Sequence, residues 1–198
     1  MADTRRLKSG IPTRRADARR ARTQSAALSA FRDLVLSQPL AEVSLEAVAA
    51  RAKLGRSTLY EHFSGKDALL AVSIAGPFAR LAGALDERPH VQDLADLLEH
   101  FWENRALARS IFSAASRRRI DAVLVKLVKE KLKSRGLERR GALLMPLHLT
   151  AASLAQLLLA PMVLWLEGES TVKPEALAKA LVRSAQSALN ALRTLPAT

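Results

Sequence analysis

The side chains best suited to binding chemistry lie between Ser44 and Lys66, where hydroxyls, a guanidinium, a phenol and an ammonium follow one another closely. Leu59 and Phe63 are four residues apart and would form the buried side of a short helix. Four side chains would then face solvent: Arg56, Ser57, Tyr60 and Glu61. A helix that enters the major groove of DNA uses groups of these kinds on phosphates and base edges.

A second short helix is predicted just before this one. Ser44 is a favourable N-cap residue, so we expect the helix to begin at Leu45 and to bury Val48 and Ala49. Residues 53–55, Lys-Leu-Gly, would form the turn between the two helices. Two short amphipathic helices joined by such a turn have the form of a helix-turn-helix motif, which cannot persist without supporting structure.

Lys66 lies where a third helix would begin, because Ser64 and Asp67 have the spacing of a capping box. The first turn of a helix favours acidic residues, so a lysine there is unfavourable unless an anion also binds. Backbone N–H groups at a helix start, together with an ammonium, can bind a phosphate. The sequence therefore predicts a phosphate contact at Lys66.

The positive charge of the chain is concentrated in two segments. The net charge is +12, of which residues 1–23 carry +6 and residues 117–140 carry +7. This distribution predicts contact with a polyanion at one or both segments, and a membrane surface is the alternative to nucleic acid. For the basic amphipathic helix 117–134 we expect a solvated outer face, with membrane or nucleic-acid contact as the alternative. We expect residues 1–22 to be an irregular basic arm that reaches phosphates or the minor groove, the alternative being a solubilising tail or an expression remnant.

Helical periodicity continues through the rest of the chain, and no alternating strand pattern occurs. Aromatic residues make up only 4% of the chain and Leu and Ala dominate, so we expect an all-α fold. The predicted helices are 23–38, 67–85 with an interruption at Gly76-Pro77, 91–103, 106–115, 117–134, 141–166 and 174–195.

The segment 141–166 carries no charge and is long enough to span a bilayer. Pro146 and Pro161, together with interspersed polar residues, favour instead a helix that is buried within the protein and against a partner subunit. We therefore expect a homodimer and no membrane insertion.

A second candidate site is an apolar pocket in the larger part of the chain, with a few polar anchors. Its candidate lining is Phe101, Trp102, Phe112, Met145, His148, Gln156, Met162 and Trp165. For each of these residues taken singly, a place in the core is the favoured alternative. We expect any effector to be a small apolar or amphipathic molecule.

Other classes of protein find no support in the sequence. There is no cysteine, the four histidines lack metal-ligand spacing, and no glycine-rich phosphate loop occurs, so we expect no enzyme, cofactor or metal site. The first thirty residues lack the apolar segment of a signal peptide, which favours a cytoplasmic location.

The segment 45–70, LEAVAARAKLGRSTLYEHFSGKDALL, resembles the DNA-binding signature of the TetR family of bacterial transcriptional regulators. The resemblance rests on Ala49, Leu54, Thr58, Leu59, Tyr60, His62, Phe63, Lys66, Leu69 and Leu70. It implies that Tyr60, His62 and Lys66 meet phosphates or base edges. It also implies that Ser44 and Thr58 contact the DNA backbone, and that Arg56 and Ser57 read most of the bases.

The same resemblance implies a domain organisation. A three-helix DNA-binding domain would occupy residues 23–70, and a helical ligand-binding and dimerisation domain would occupy residues 71–198. The protein would be a homodimeric, ligand-responsive repressor that binds a pseudo-palindromic double-stranded DNA operator. Two residues depart from the family pattern, since Lys53 replaces the turn glycine and Gly55 replaces the usual N-cap serine or threonine. The alternative is an architectural nucleic-acid-binding protein without sequence preference.

Overall fold

A computed structural model describes residues 14–113, 116–168 and 171–194, in which all regular elements are helical. The elements are α1 Arg14–Ser37, α2 Leu45–Ala52, α3 Arg56–His62, α4 Lys66–Ala82, a 3-10 turn Gly83–Leu85, α5 Val91–Glu103, α6 Arg105–Ile111, α7 Arg117–Ser134, α8 Leu147–Glu167 and α9 Pro174–Leu192. The predicted all-α class is confirmed. The predicted bounds of α5 and α7 are also those of the structure.

The first three helices form a head around one small core. α1 packs on both α2 and α3, and α4 leads from this head into the rest of the chain. Phe31 of α1, Val48 of α2 and Leu59 of α3 are fully buried, and Phe63 is almost so. The apolar stripes predicted for the two short helices therefore meet a third helix that supports them from behind.

The remaining helices form a larger body. α5 packs against α9, α7 packs against α8 and α4, and α8 packs against α9. Ten residues of α8 are buried, so most of the apolar surface of this uncharged helix is shielded from water. α6 joins the body to the head, because it contacts both α8 and α1.

The start of α1 differs from the sequence prediction. The helix begins at Arg14, so residues 14–22 are helical and do not belong to an irregular arm. Arginine and alanine are strong helix formers, and Asp17 in the first turn interacts favourably with the helix dipole, so local propensity outweighs the charge of this segment. The rest of the predicted arm, residues 1–13, lies outside the described residues.

The predicted interruption at Gly76-Pro77 was wrong, because α4 continues through it to Ala82. Pro77 lacks an N–H for the carbonyl four residues earlier, but Ile74, Phe78 and Leu81 are buried on the same helix, and their packing holds it together.

The helices α8 and α9 are both shorter than predicted. α8 begins at Leu147, after Gly141 with φ of 80° and after the N-cap residue Pro146. α9 ends at Leu192, and the next residue, Arg193, forms an isolated antiparallel bridge with Leu143. The residues before α8 and the residues after α9 are thus paired with each other and are not helical.

Two helical stretches, Lys66–Leu85 and Leu147–Glu167, are long and apolar enough to cross a membrane. Both lie within the packed core described above, and core helices of soluble proteins commonly satisfy the same criteria of length and composition.

Candidate DNA-binding surface

The turn between α2 and α3 shows how the short motif is held. The Ser44 hydroxyl accepts a hydrogen bond of 3.1 Å from the Ala47 N–H, which confirms the predicted N-cap. Lys53 has left-handed backbone angles, φ 55° and ψ 39°, at the place where glycine would carry no steric cost. Gly55 caps α3 without a side-chain hydrogen bond. Both departures from the family pattern are thus accommodated by the predicted fold.

The two sides of α3 are those predicted from its sequence. Leu59 is fully buried, whereas Arg56 and Ser57 are exposed and half of the Tyr60 side chain is accessible. Thr58 and His62 are half-buried at the edges of the exposed side. The surface therefore offers a guanidinium, hydroxyls and a phenol together, while their contacts with DNA stay predictions.

Glu46 was not singled out by the sequence, but it contacts the most prominent side chain of this surface. The Tyr60 hydroxyl donates a hydrogen bond of 2.7 Å to Glu46 Oε1, which links α3 to the first turn of α2. This bond lowers the pKa of Glu46 and raises the pKa of Tyr60. The phenol is thus held in place by an ionised carboxylate, and no sequence spacing reports such a contact between helices.

Lys66 differs from its prediction in two respects. The capping box was wrong, because the N-cap residue of α4 is Gly65 and no side chain caps the helix. The Lys66 ammonium donates to the backbone carbonyls of Leu40 at 3.0 Å and Ala41 at 2.8 Å. Lys66 therefore holds the α1–α2 loop with two of its three N–H groups, which leaves one for the predicted phosphate contact.

The first turns of α1 extend the exposed surface of α3. An open groove of about 330 Å³ separates the two helices. Its lining from α1 is Asp17, Arg19, Arg20 and Thr23, and its lining from α3 is Thr58, Glu61 and His62. The arginine pair predicted to lie in an arm is thus fixed by a helix next to the recognition surface. Cations in this position add to the attraction for phosphates.

Direct contacts join the head to the body. Arg119 of α7 forms an ion pair of 2.6 Å with Asp67 in the first turn of α4. The Ser110 hydroxyl of α6 donates a hydrogen bond of 3.1 Å to the Val35 carbonyl of α1. These two contacts link α7 to the start of α4 and α6 to the end of α1.

The structure does not bring the eight predicted pocket residues together. Phe101 and Phe112 meet edge to face, with ring centroids 5.8 Å apart, beside a small cavity. Trp102 and Trp165 contact each other elsewhere, with ring centroids 4.8 Å apart.

The other predicted pocket residues are dispersed over core, surface and loop. Met162 is fully buried, and His148 and Gln156 are exposed. Gln156 accepts a hydrogen bond from Arg117, and Met145 lies in the loop before α8. Within the described ranges, no group of three or more His, Cys, Asp or Glu is placed to hold a metal ion.

A helix-turn-helix head with an exposed recognition helix, carried on a helical body, defines this chain as a DNA-binding regulator of the all-α class. Residues 18–72 match the family model described as "Bacterial regulatory proteins, tetR family". Residues 18–72 thus have the sequence of the DNA-binding domain of the TetR family of bacterial regulators. No curated protein matches its sequence.

Solved structures of other regulators share the fold. A TetR-family regulator from Streptomyces coelicolor aligns with a TM-score of 0.63 at 15% identity over 95% of this chain and 99% of its own. A TetR transcriptional regulator from Rhodococcus aligns with a TM-score of 0.54 at 19% identity, over 88% and 98%. NalD, the secondary repressor of a multidrug efflux pump in Pseudomonas aeruginosa, aligns with a TM-score of 0.51 at 22% identity, over 85% and 96%. At these identities the comparison concerns the fold alone.

Proposed function

We propose that this protein is a cytoplasmic, homodimeric repressor that binds a pseudo-palindromic operator and responds to a small molecule. The observation that carries the proposal is the outward side of α3, where Arg56, Ser57 and Tyr60 are exposed together above the buried Leu59. Such a helix end can enter the major groove, where side chains distinguish all four base pairs.

The exposed groups divide naturally into two roles. Arg56 and Ser57 lie at the start of α3, the end that reaches base edges in helix-turn-helix proteins, so we assign base reading to them. Tyr60, His62 and Lys66 would contact phosphates beside the groove. Ser44 and Thr58 would contact the DNA backbone, with Ser44 contributing alongside its role as the α2 N-cap.

Dimerisation is supported by the outward sides of α8 and α9. Leu149 and Leu164 lie on one side of α8, and nearly half of each side chain is exposed. The neighbouring outward residues are Ser153 and Gln156 of α8, and Ala176, Ala180, Arg183, Ser187 and Ala191 of α9, so the side chains of this surface are small or uncharged apart from Arg183. Two copies packed through this surface would bury these leucines and couple two heads for half-sites separated by one turn of DNA.

Response to an effector is supported by the contacts between head and body. The Ser110–Val35 bond joins the body helix α6 to α1 of the head, and the Arg119–Asp67 pair joins α7 to the start of α4, directly after the head. A molecule that shifts these helices would change the separation of two recognition helices and thereby the affinity for the operator.

Footprinting of genomic fragments combined with sedimentation of the free protein tests the proposal. We expect protection of one short pseudo-palindrome and a dimeric sedimentation coefficient in buffer without detergent. Uniform protection of all DNA would instead indicate an architectural protein. A stable monomer would remove the basis for recognition of paired half-sites.

A further inference from the structure

A cavity of about 120 Å³ lies at the junction between the head and the body. It is lined by α5 and α6 of the body and by α4, which leads from the head into the body, and Arg32 of α1 lies at its border. The cavity is therefore in contact with both parts of the protein.

The inner wall of this cavity is aromatic. Phe112 lies nearly parallel to Phe78, with ring centroids 6.0 Å apart and an interplanar angle of 10°. The same ring meets Phe101 edge to face. At about 120 Å³ this space is somewhat smaller than the apolar cavity of about 150 Å³ that accepts a benzene molecule, so it has room for at most a single six-membered ring. An aromatic ring would find both a face and edges with which to pair.

The border of the cavity is polar and basic. Arg32 is exposed and has no hydrogen bond or ion pair within the described part of the chain, unlike the arginines that pair with Asp33, Asp67 or Asp121. No carboxylate side chain lines the cavity, and the other ionisable or amide groups at its border are His100 and Asn104. An unpaired guanidinium beside an apolar space favours a carboxylate, because it can form two parallel charge-assisted hydrogen bonds.

We propose that this cavity binds a small aromatic carboxylate, with its ring against Phe78, Phe101 and Phe112 and its carboxylate on Arg32. The inference rests on the proposed ligand response and gives the effector a site and a chemical class. The ligand would join α1 to the body next to the Ser110–Val35 hydrogen bond. Binding there is coupled to the position of the head, and by reciprocity operator DNA alters the affinity for the ligand.

The test uses the full-length protein without DNA and two probes of matched shape, benzoate and its neutral analogue benzamide. Calorimetric titration should show one benzoate per chain and weaker binding of benzamide. Arg32→Gln should weaken benzoate binding about tenfold to a hundredfold, the range expected for a lost charge-assisted hydrogen bond, and leave benzamide unchanged. Arg88→Gln is the matched control, since it removes an exposed arginine outside the cavity and should change neither affinity.

A cavity-filling variant tests the position of the ring independently. Ala108 is buried and lines the cavity, so Ala108→Leu should fill the space and abolish the binding of both probes. Far-ultraviolet circular dichroism shows whether this variant is folded, and if it is not, the comparison of Arg32→Gln with Arg88→Gln decides alone. Equal affinities for benzoate and benzamide, equal losses in both arginine variants, or unchanged binding in folded Ala108→Leu would each overturn the proposal.

Operator binding is measured separately on protein without either probe. Sequence-specific DNA binding without benzoate binding would refute this inference and leave the proposed regulator intact. Benzoate binding by a protein that recognises no specific DNA site would refute the proposed regulator and leave the ligand site intact.

Discussion

Replacement of Lys66 by methionine separates two roles that the structure places on one ammonium. The side chain holds the carbonyls of Leu40 and Ala41, and it lies at the start of α4, where a phosphate contact is predicted. Methionine keeps most of the length and apolar volume of lysine but cannot donate a hydrogen bond. Lys66→Met should therefore affect both the stability of the head and the affinity for DNA.

The expected loss of stability follows from the surroundings of the two carbonyls. A hydrogen bond to a charged group contributes about 1.5–3 kcal/mol, and its removal costs most where the remaining partner is left buried and unsatisfied. Here the Ala41 contact is exposed, and the Leu40 carbonyl also accepts from the Val43 N–H at 3.3 Å. Water and this second donor compensate in part, so we expect a total loss of about 1–2 kcal/mol. For a protein of this size, that lowers the melting temperature by about 3–6 °C.

The expected effect on DNA binding is a change in salt dependence. Each phosphate contact contributes about −0.9 to the slope of log affinity against log salt, so the loss of one contact per head flattens the slope of a dimer by about two. Lys66→Arg keeps the charge and should retain most of the slope. Lys126→Met is the control, because Lys126 is an exposed lysine of α7 and should leave both quantities unchanged.

Calorimetry and fluorescence anisotropy at three salt concentrations measure the two effects on the same preparations. An unchanged melting temperature in Lys66→Met would show that the contacts with the loop contribute nothing to stability. An unchanged slope would show that Lys66 does not contact phosphate in the complex.

Three further predictions follow from the described surfaces. Phe63→Ala should lower the free energy of unfolding by about 3–5 kcal/mol in denaturant titration, because Phe63 is buried. Tyr60→Phe should instead weaken operator binding about tenfold and barely change the free energy of unfolding. An equal loss of stability in both variants would contradict the assigned sides of α3. Leu164→Glu should give monomers in sedimentation, because it puts a charge on the proposed dimer surface, and a stable dimer would place the interface elsewhere. Replacement of Arg19 and Arg20 together by glutamine should flatten the salt slope of a dimer by about four, and an unchanged slope would exclude the α1 groove from DNA contact.

The sequence predicted the elements whose determinants are local. Ser44 marked the start of α2, and the apolar spacing of Leu59 and Phe63 defined the buried side of α3, because both signals operate within about one helical turn. The turn at residues 53–55 was likewise predicted from its position between two helices, whereas the left-handed backbone of Lys53 is a finding of the structure.

Contacts that depend on the angle between helices were beyond sequence reasoning. The bond between Glu46 and Tyr60 joins residues on different helices, and the carbonyls held by Lys66 belong to a loop about 25 residues earlier, so no periodicity reports either contact. The start of α1 was missed for another reason, since a run of arginines resembles a disordered tail although each Arg and Ala favours a helix. The dispersed pocket residues were also beyond sequence reasoning. An aromatic residue type indicates that a side chain is buried, but it does not indicate which other side chains it contacts.

The pairing of the chain around Leu143 with the residues after α9 has a mechanical consequence. The Leu144 N–H donates to the Leu192 carbonyl at 2.9 Å, and the Thr194 N–H donates to the Ala142 carbonyl at 3.2 Å. α8 and α9 are thus fastened at this end, in addition to the chain that connects them at the other. Sliding of one helix along the other would break these bonds, so shear within the pair is opposed while rotation of the pair as a unit is not. We therefore expect any movement of two subunits in a dimer to be a hinge-like rotation of rigid α8–α9 pairs.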